Sequence, residues 1–246
     1  MNVTLVAYYK TKPPGLSALI QSTQNMLLSE FGPAFTPYSI AQVHATIVGL
    51  EHEADGDKYL NSNFIRYRQS NRTMDLAGFV KQLKTALQSP VIIRMGGYTL
   101  DTDYGFTSQG QHPMKRSFSI QSDKVVTMGW PMQNAPESQL ANLRKCFEQF
   151  NILHKWHQHP NDMDNDLYFV LGHLDRARIG NSTIEFVEKK LRNQFATRPP
   201  LELELFIEDL QFVAYSDLTL PPDGSYALSL SDADADINKL YKLFDR

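Results

Sequence analysis

Cysteine is almost missing from this 246-residue chain, which carries only Cys146. A single thiol excludes an intramolecular disulfide and any metal centre built on several thiolates. Neither sign of charge dominates: 24 Lys and Arg stand against 27 Asp and Glu, a net charge of −3. That balance excludes a protein that coats nucleic acid through a broad basic face, while leaving room for a local phosphate pocket. No apolar run approaches the ~20 residues needed to cross a bilayer. The segment Met1 to Lys10 has neither the basic start nor the small-residue cleavage site of a signal peptide. It is expected to be a first strand, and the chain a soluble, cytoplasmic monomer with no membrane partner. Glycine-based signatures are missing too. There is no Gly-x-x-x-x-Gly-Lys-Ser/Thr loop, no Gly-x-Gly-x-x-Gly turn and no Gly-x-Ser-x-Gly elbow, so the usual nucleotide-loop and serine-hydrolase designs are set aside.

Strand and helix patterns alternate along the chain. Val3–Tyr9 is expected as a strand, followed after Lys12-Pro-Pro-Gly15 by a helix whose apolar face is Leu16, Leu19, Ile20, Thr23, Met26, Leu27 and Phe31. Gln42–Leu50 is a second strand, rich in branched residues. Residues 51–73 have no clear period and are expected as a long loop or insertion. A helix over 75–88, a strand over 91–95 and an excursion over 99–114 come next. Arg116–Gln121 and Lys124–Trp130 then form paired strands around a Ser-Asp turn or one bent strand. The second half offers a helix over 137–150, a polar loop over 154–166, a strand over 167–174 and a helix over 182–195. It closes with one or two strands over 202–215, a strand over 225–230 and a last short helix. The expected fold class is α+β: two pseudo-symmetric lobes with antiparallel sheets lining a central groove and helices outside. Residues 1–246 form a single bilobal domain with insertions at about 51–73 and 99–114.

Candidate metal motifs fail on spacing. Asp162, Asp164 and Asp166 begin like a calcium loop, but Leu167 stands where glycine is required and His173 where glutamate is required. Asp232, Asp234 and Asp236 fail in the same way. His154, His157 and His159 have no fourth ligand at a convincing spacing, and a polar surface loop is the preferred assignment over a zinc site. No metal and no cofactor are expected. Cys146, between helix-face residues, is expected to be structural.

His44-Ala-Thr-Ile47 survives these tests. Strand side chains alternate, so His44 and Thr46 share a face. Histidine titrates near neutrality and serves as acid or base, and a threonine hydroxyl donates to a phosphate oxygen. On its own such a triplet is common. Here it follows a strand and a helix and runs into Val48-Gly-Leu50-Glu51, while Leu210–Leu228 reads as a closing hairpin with Gly224-Ser-Tyr226 opening the last strand. In this order of short motifs the chain resembles the two-histidine phosphoesterase superfamily, also called LigT-like. The resemblance implies two His-x-Thr/Ser motifs facing each other across a groove. One imidazole would be general base and the other general acid on a 2′,3′-cyclic or 2′-5′-linked phosphodiester of a nucleotide or RNA end, without metal.

The second motif departs from that pattern. Laid on Leu167–Leu174, Tyr168 takes the histidine position and Val170 the hydroxyl position. The alternative registration, His173-Leu-Asp-Arg176, puts a carboxylate where phosphate needs a donor; Tyr168 is preferred because it keeps the strand's length. Tyrosine donates a hydrogen bond but is a poor base at neutral pH. The expected site is thus His44, Thr46 and Tyr168 in catalytic roles, with Arg116, Trp130 and His173 binding substrate. The alternative is a relative without turnover that binds a nucleotide, an RNA end or a protein. A metal hydrolase built on the three loop histidines is a distant third.

Overall fold

The computed structural model describes residues 1–9, 11–56, 58–132 and 139–246. Its strands are β1 (Asn2–Ala7), β2 (Phe35–Pro37), β3 (Ala45–Gly49), β4 (His52–Asp55), β5 (Lys58–Asn61), β6 (Val91–Met95), β7 (Phe118–Gln121), β8 (Lys124–Pro131), β9 (Leu167–Leu174), β10 (Leu201–Leu205), β11 (Leu210–Tyr215) and β12 (Tyr226–Ser229). The α-helices are α1 (Pro14–Phe31), α2 (Ser62–Arg68), α3 (Leu76–Ala86), α4 (Pro113–Arg116), α5 (Gln139–Cys146), α6 (Asn181–Thr197), α7 (Leu230–Ala235) and α8 (Ile237–Phe244). The class is α+β. One large antiparallel sheet runs β10-β6-β8-β9-β3-β1-β11-β12, with β2 added to β9 and β7 to β8. Each half holds a strand–helix–strand unit, β1-α1-β3 and β8-α5-β9, whose second strand reaches the middle of the sheet.

The period-2 alternation of the strands sorts side chains onto two faces. Val3, Leu5 and Ala7 of β1, Ala45 and Ile47 of β3, and Leu167, Phe169 and Leu171 of β9 join the main core. There they meet Leu16, Ile20 and Leu27 of α1, Phe79 and Leu83 of α3, and Ile184, Val187 and Leu191 of α6. On the opposite face two small apolar clusters stand apart. Val126, Met128 and Trp130 of β8 pack with Tyr98 and Met114; Val6, Val213 and Tyr215 pack with Leu220. The space between them is a groove with the middle strands as its floor.

Several expectations change at this level. Within 51–73, expected as a loop or insertion, His52–Asp55 and Lys58–Asn61 pair as the hairpin β4–β5 and Ser62–Arg68 forms helix α2. The Asn61 side chain caps that helix through the Phe64 N–H, and Tyr59 stacks on Phe244. Hairpin and helix are packed on the body, and Arg68 is paired with Glu148. Arg116, expected on a strand, ends the one-turn helix α4. Pro113 sits at the first helical position and the His112 ring accepts from the Met114 N–H, which favours a turn over extension. The strands at 116–121 and 124–130 are paired, as β7 and β8, around Ser122-Asp123. The helix expected over 137–150 is α5 followed by a 3₁₀ turn over Phe147–Phe150; its expected start at Glu137 lies outside the described residues. The 202–215 segment is two strands, separated by a 3₁₀ turn over Ile207–Asp209.

The middle of the sheet is its weakest ladder. β3 and β9 share a single registered pair, Ala45 with Phe169. Arg144 of α5 supplies what the ladder lacks. Its Nε donates to the Ile47 carbonyl at 2.9 Å and its Nη2 to the Thr46 carbonyl at 3.0 Å. On the other side Nη1 reaches the Asp164 carbonyl at 2.9 Å and its carboxylate at 3.1 Å, and Nη2 reaches the Asp166 carbonyl at 3.2 Å. The guanidinium fork thus ties β3 to the segment that leads into β9. Both Arg144 and Asp164 are buried, so removing the arginine strands a carboxylate. Arg144→Met is expected to destabilise the fold by about 3–5 kcal/mol in denaturant melts. Arg144→Lys should recover little, because an ammonium lacks the planar five-donor fork.

Candidate functional site

A cleft of about 600 Å³ opens on the groove face, within the size range of small-molecule sites. His44, Thr46, Tyr168, Val170 and Arg116 all line it, as do Glu51, Asn63, Gln109, Lys124, Arg144, His154, Lys155, Trp156, Asp164, Asp166 and Leu218. The Ala45–Phe169 pair explains the grouping. Both of those side chains point into the core, so their neighbours on either side point into the groove. Continuing the antiparallel register sets His44 beside Val170 and Thr46 beside Tyr168. His44, Thr46, Tyr168 and Val170 thereby line one cleft.

His44 immediately precedes β3 and is 8% exposed. Its Nδ1 donates to the Gln42 carbonyl at 2.8 Å when the ring is neutral, which leaves the Nε2 lone pair without a partner among the described residues. The Tyr8 ring packs 5.4 Å away. Burial pushes the imidazole pKa down to about 4, reinforced by the Lys12 ammonium and opposed by the bond to Gln42. A neutral, oriented ring with a free nitrogen is the form a general base requires. Thr46 is exposed, and its hydroxyl has no partner among the described residues. The Tyr168 hydroxyl reaches Gln121 Oε1 only at 3.5 Å, and burial raises its pKa to about 12. It is a donor throughout the neutral range. Val170 offers no polar group, so the chemistry of the cleft is asymmetric.

Four acids and four permanent cations line the cleft, and their pairing decides where charge remains. Arg116 Nη2 pairs with Asp166 Oδ2 at 3.0 Å, and its Nε donates to Ser108 Oγ at 3.2 Å. Ser108 Oγ in turn donates to Asp166 at 2.7 Å. Arg144 pairs with Asp164. Among the described residues Lys124 and Lys155 have no carboxylate at ion-pair distance. Glu51 and Asp123 share the cleft with those two lysines, so its formal charges balance, and sequence patterning missed both lysines because an isolated lysine carries no motif.

Trp130, expected to bind substrate, does not face the cleft. It is 1% exposed and its indole N–H donates to Asp166 Oδ1 at 2.6 Å. Its place on β8 puts it in the cluster under the 99–114 excursion. His173 lies outside the cleft as well, in a neighbouring depression that shares Ser122 and Asp123 with it. The Tyr38 hydroxyl and Asp123 hold its ring at 2.6 and 2.9 Å. His154 and His157, assigned to a polar surface loop, are 4% and 2% exposed, and only His159 is on the surface. His157 Nε2 accepts the Asp164 N–H at 3.2 Å and its ring packs 5.2 Å from His154. Alternating exposure along an irregular segment leaves no periodic signal, which is why these burials were not legible. Among the described residues no group of three His, Cys, Asp or Glu side chains is arranged to hold a metal ion. Cys146 is half-buried, and burial raises its thiol pKa.

The three buried imidazoles have a thermodynamic consequence. Burial depresses His44 and His157 to about 4 and His154 well below its ordinary value. In the unfolded chain each takes a proton near pH 6.5. Folding stability from these groups is therefore complete above pH 6.5 and falls as pH is lowered toward 4, by roughly 4 kcal/mol per pH unit when three protons are taken up on unfolding. Thermal melts across pH 4–8 should show Tm level above 6.5 and falling steeply below it.

No known family model matches the sequence, and no curated protein matches it. Among solved structures the chain is similar to TT0787 of Thermus thermophilus, at 13% identity, over 93% of this chain and 94% of that one. The TM-score is 0.45, so the likeness carries no argument about the site.

Proposed function

We propose that the cleft binds a phosphodiester of a nucleotide or RNA end, 2′,3′-cyclic or 2′-5′-linked, and that His44 is the base that opens it, in the manner of a two-histidine phosphoesterase with one triplet altered. The observation that carries the proposal is the meeting of His44, Thr46 and Tyr168 in one cleft, with His44 Nε2 free and Nδ1 tied to a carbonyl. In the proposed step His44 Nε2 takes a proton from water as the water oxygen bonds to phosphorus. Thr46 donates to a non-bridging oxygen, and Lys124 offsets its negative charge. The P–O bond to the ribose oxygen breaks, and that oxygen takes its proton from the Tyr168 hydroxyl. A phenol with a pKa near 12 is a weak acid, but the alkoxide it meets is strongly basic. Proton exchange between the imidazolium, solvent and the phenolate then restores both groups.

Hydrolysis of 2′,3′-cyclic nucleotides and 2′-5′ dinucleotides tests the assignment. His44→Ala should lose about 10²–10⁴-fold in kcat/KM. Tyr168→Phe, which removes only the donor, should lower kcat with little change in KM. Because the base form of His44 exists above its own pKa, the acid limb of kcat/KM should fall near pH 4 and not near 6.5. Absence of turnover above the His44→Ala control would refute the enzymatic role. A second assignment is favoured by one specific observation, the valine at position 170 where a second hydroxyl would hold phosphate. In that case the cleft binds the same ligands without turnover, and calorimetry would show saturable binding by a protein that releases no product.

A further inference from the structure

Trp156 is 48% exposed and Leu218 69% exposed, and both line the cleft. Large apolar groups left in water forgo the burial that stabilises a fold, and here two of them border one opening. The backbone holds Trp156 in that position. The His157 N–H donates to the His154 carbonyl at 2.9 Å, closing a four-residue turn. Its ends are buried imidazoles and its tip is Lys155-Trp156. Leu218 is fixed as firmly: Asp217 takes the Thr219 N–H at 2.8 Å, and Gln42 Nε2 donates to the Thr219 carbonyl at 2.9 Å. Gln42 is also the residue whose carbonyl orients His44, so the loop bearing Leu218 and the proposed base share one anchor.

The lining around the indole suits a planar, polar-edged ring bearing an anion. Lys155 Nζ stands 5.2 Å from the Trp156 ring centre, a cation beside an aromatic face. Asn63 of α2 lines the same cleft and its amide has no hydrogen bond among the described residues. The Leu153 N–H, bonded to Asn61 Oδ1 at 3.2 Å, holds the segment leading to Trp156 against the start of that helix. Amide side chains read base edges by paired donor and acceptor contacts, and aromatic rings stack any base through its π face.

We infer that Trp156, with Leu218 and Asn63, forms a nucleobase subsite, so that the phosphate group at His44 and Thr46 is delivered by a nucleotide and not by a base-free phosphate ester. The inference rests on the phosphodiester assignment above and adds to it the residues that hold the base.

Fluorescence titration tests it, because the chain has two tryptophans and Trp130 is sealed. The His44→Ala protein prevents turnover, and the probes are 2′,3′-cyclic AMP and, as a base-free control, ribose 5-phosphate. The cyclic nucleotide should quench emission and bind about 5- to 150-fold more tightly than the sugar phosphate. Measured by calorimetry, since both variants lack the reporting indole, that gap should close in Trp156→Leu and persist in part in Trp156→Phe, which keeps a ring to stack on. A gap that survives in Trp156→Leu, or sugar phosphate binding as tightly as nucleotide, would overturn the subsite and leave the phosphate assignment standing. Failure of both ligands to bind would overturn the two together.

Discussion

The guanidinium of Arg144 is the contact on which the site depends. A sheet of ten strands is joined at its middle by one registered residue pair, and that pair stands between the two triplets that face the cleft. Five hydrogen bonds from one buried side chain close the gap, two to β3 and three to the approach to β9. A charge in a low-dielectric interior is tolerable only when every donor is used and an opposite charge is near. Arg144 meets both conditions, with the Asp164 carboxylate beside it. Burial still presses the arginine pKa down and the Asp164 pKa up, so the electrostatic cost of the pair is real. What the arrangement secures is position: the carbonyls of Thr46 and Ile47 cannot shift without breaking charge-assisted bonds, and the Thr46 hydroxyl and the His44 ring follow their backbone.

From that constraint the electrostatics of the cleft follow. Arg144 and Arg116 are committed to Asp164 and Asp166, and Trp130 and Ser108 finish the hydrogen bonding of Asp166. Two of the four acids on the cleft wall are thereby compensated, and Lys124 and Lys155 share the cleft with the other two, Glu51 and Asp123. The same burial that makes the floor rigid keeps His44 neutral, so the imidazole is ready to accept a proton but cannot donate one. Tyr168, which the antiparallel register places beside Thr46, is a hydrogen-bond donor throughout the neutral range.

Much of this was legible in the amino-acid order. Alternation of branched and aromatic residues marked β3, β6, β8 and β9 to within a few positions, because a half-buried strand needs that pattern. The apolar stripes of α1, α3 and α6 were legible for the corresponding reason at helical spacing. The candidates His44, Thr46 and Tyr168 meet in one cleft because period 2 on paired strands puts odd or even positions together, whereas Arg116 reaches it from the end of α4. Segments that obey no period were not legible. The hairpin at 52–61 is short and polar, and its stability comes from Tyr59 and His52 packing on the distant Phe244. The turn at 154–157 gets its buried imidazoles and exposed indole from the neighbours that surround it.

The two tryptophans separate what sequence determines from what tertiary structure decides. Sequence alone determined that the chain alternates strand and helix, that one triplet pairs an imidazole with a hydroxyl on a common face, and that the strand over 167–174 carries Tyr168 and Val170 on one face. It also named Trp130, in a strand, as a substrate-binding residue. Only the fold decided that Trp130 is sealed against Asp166 while Trp156 stands open at the cleft. The physical reason is one of range. Periodicity reports which face a side chain takes relative to its own backbone, whereas burial depends on what other elements cover that face. Those contacts, such as Arg144 to Thr46 across 98 positions, have no local signature.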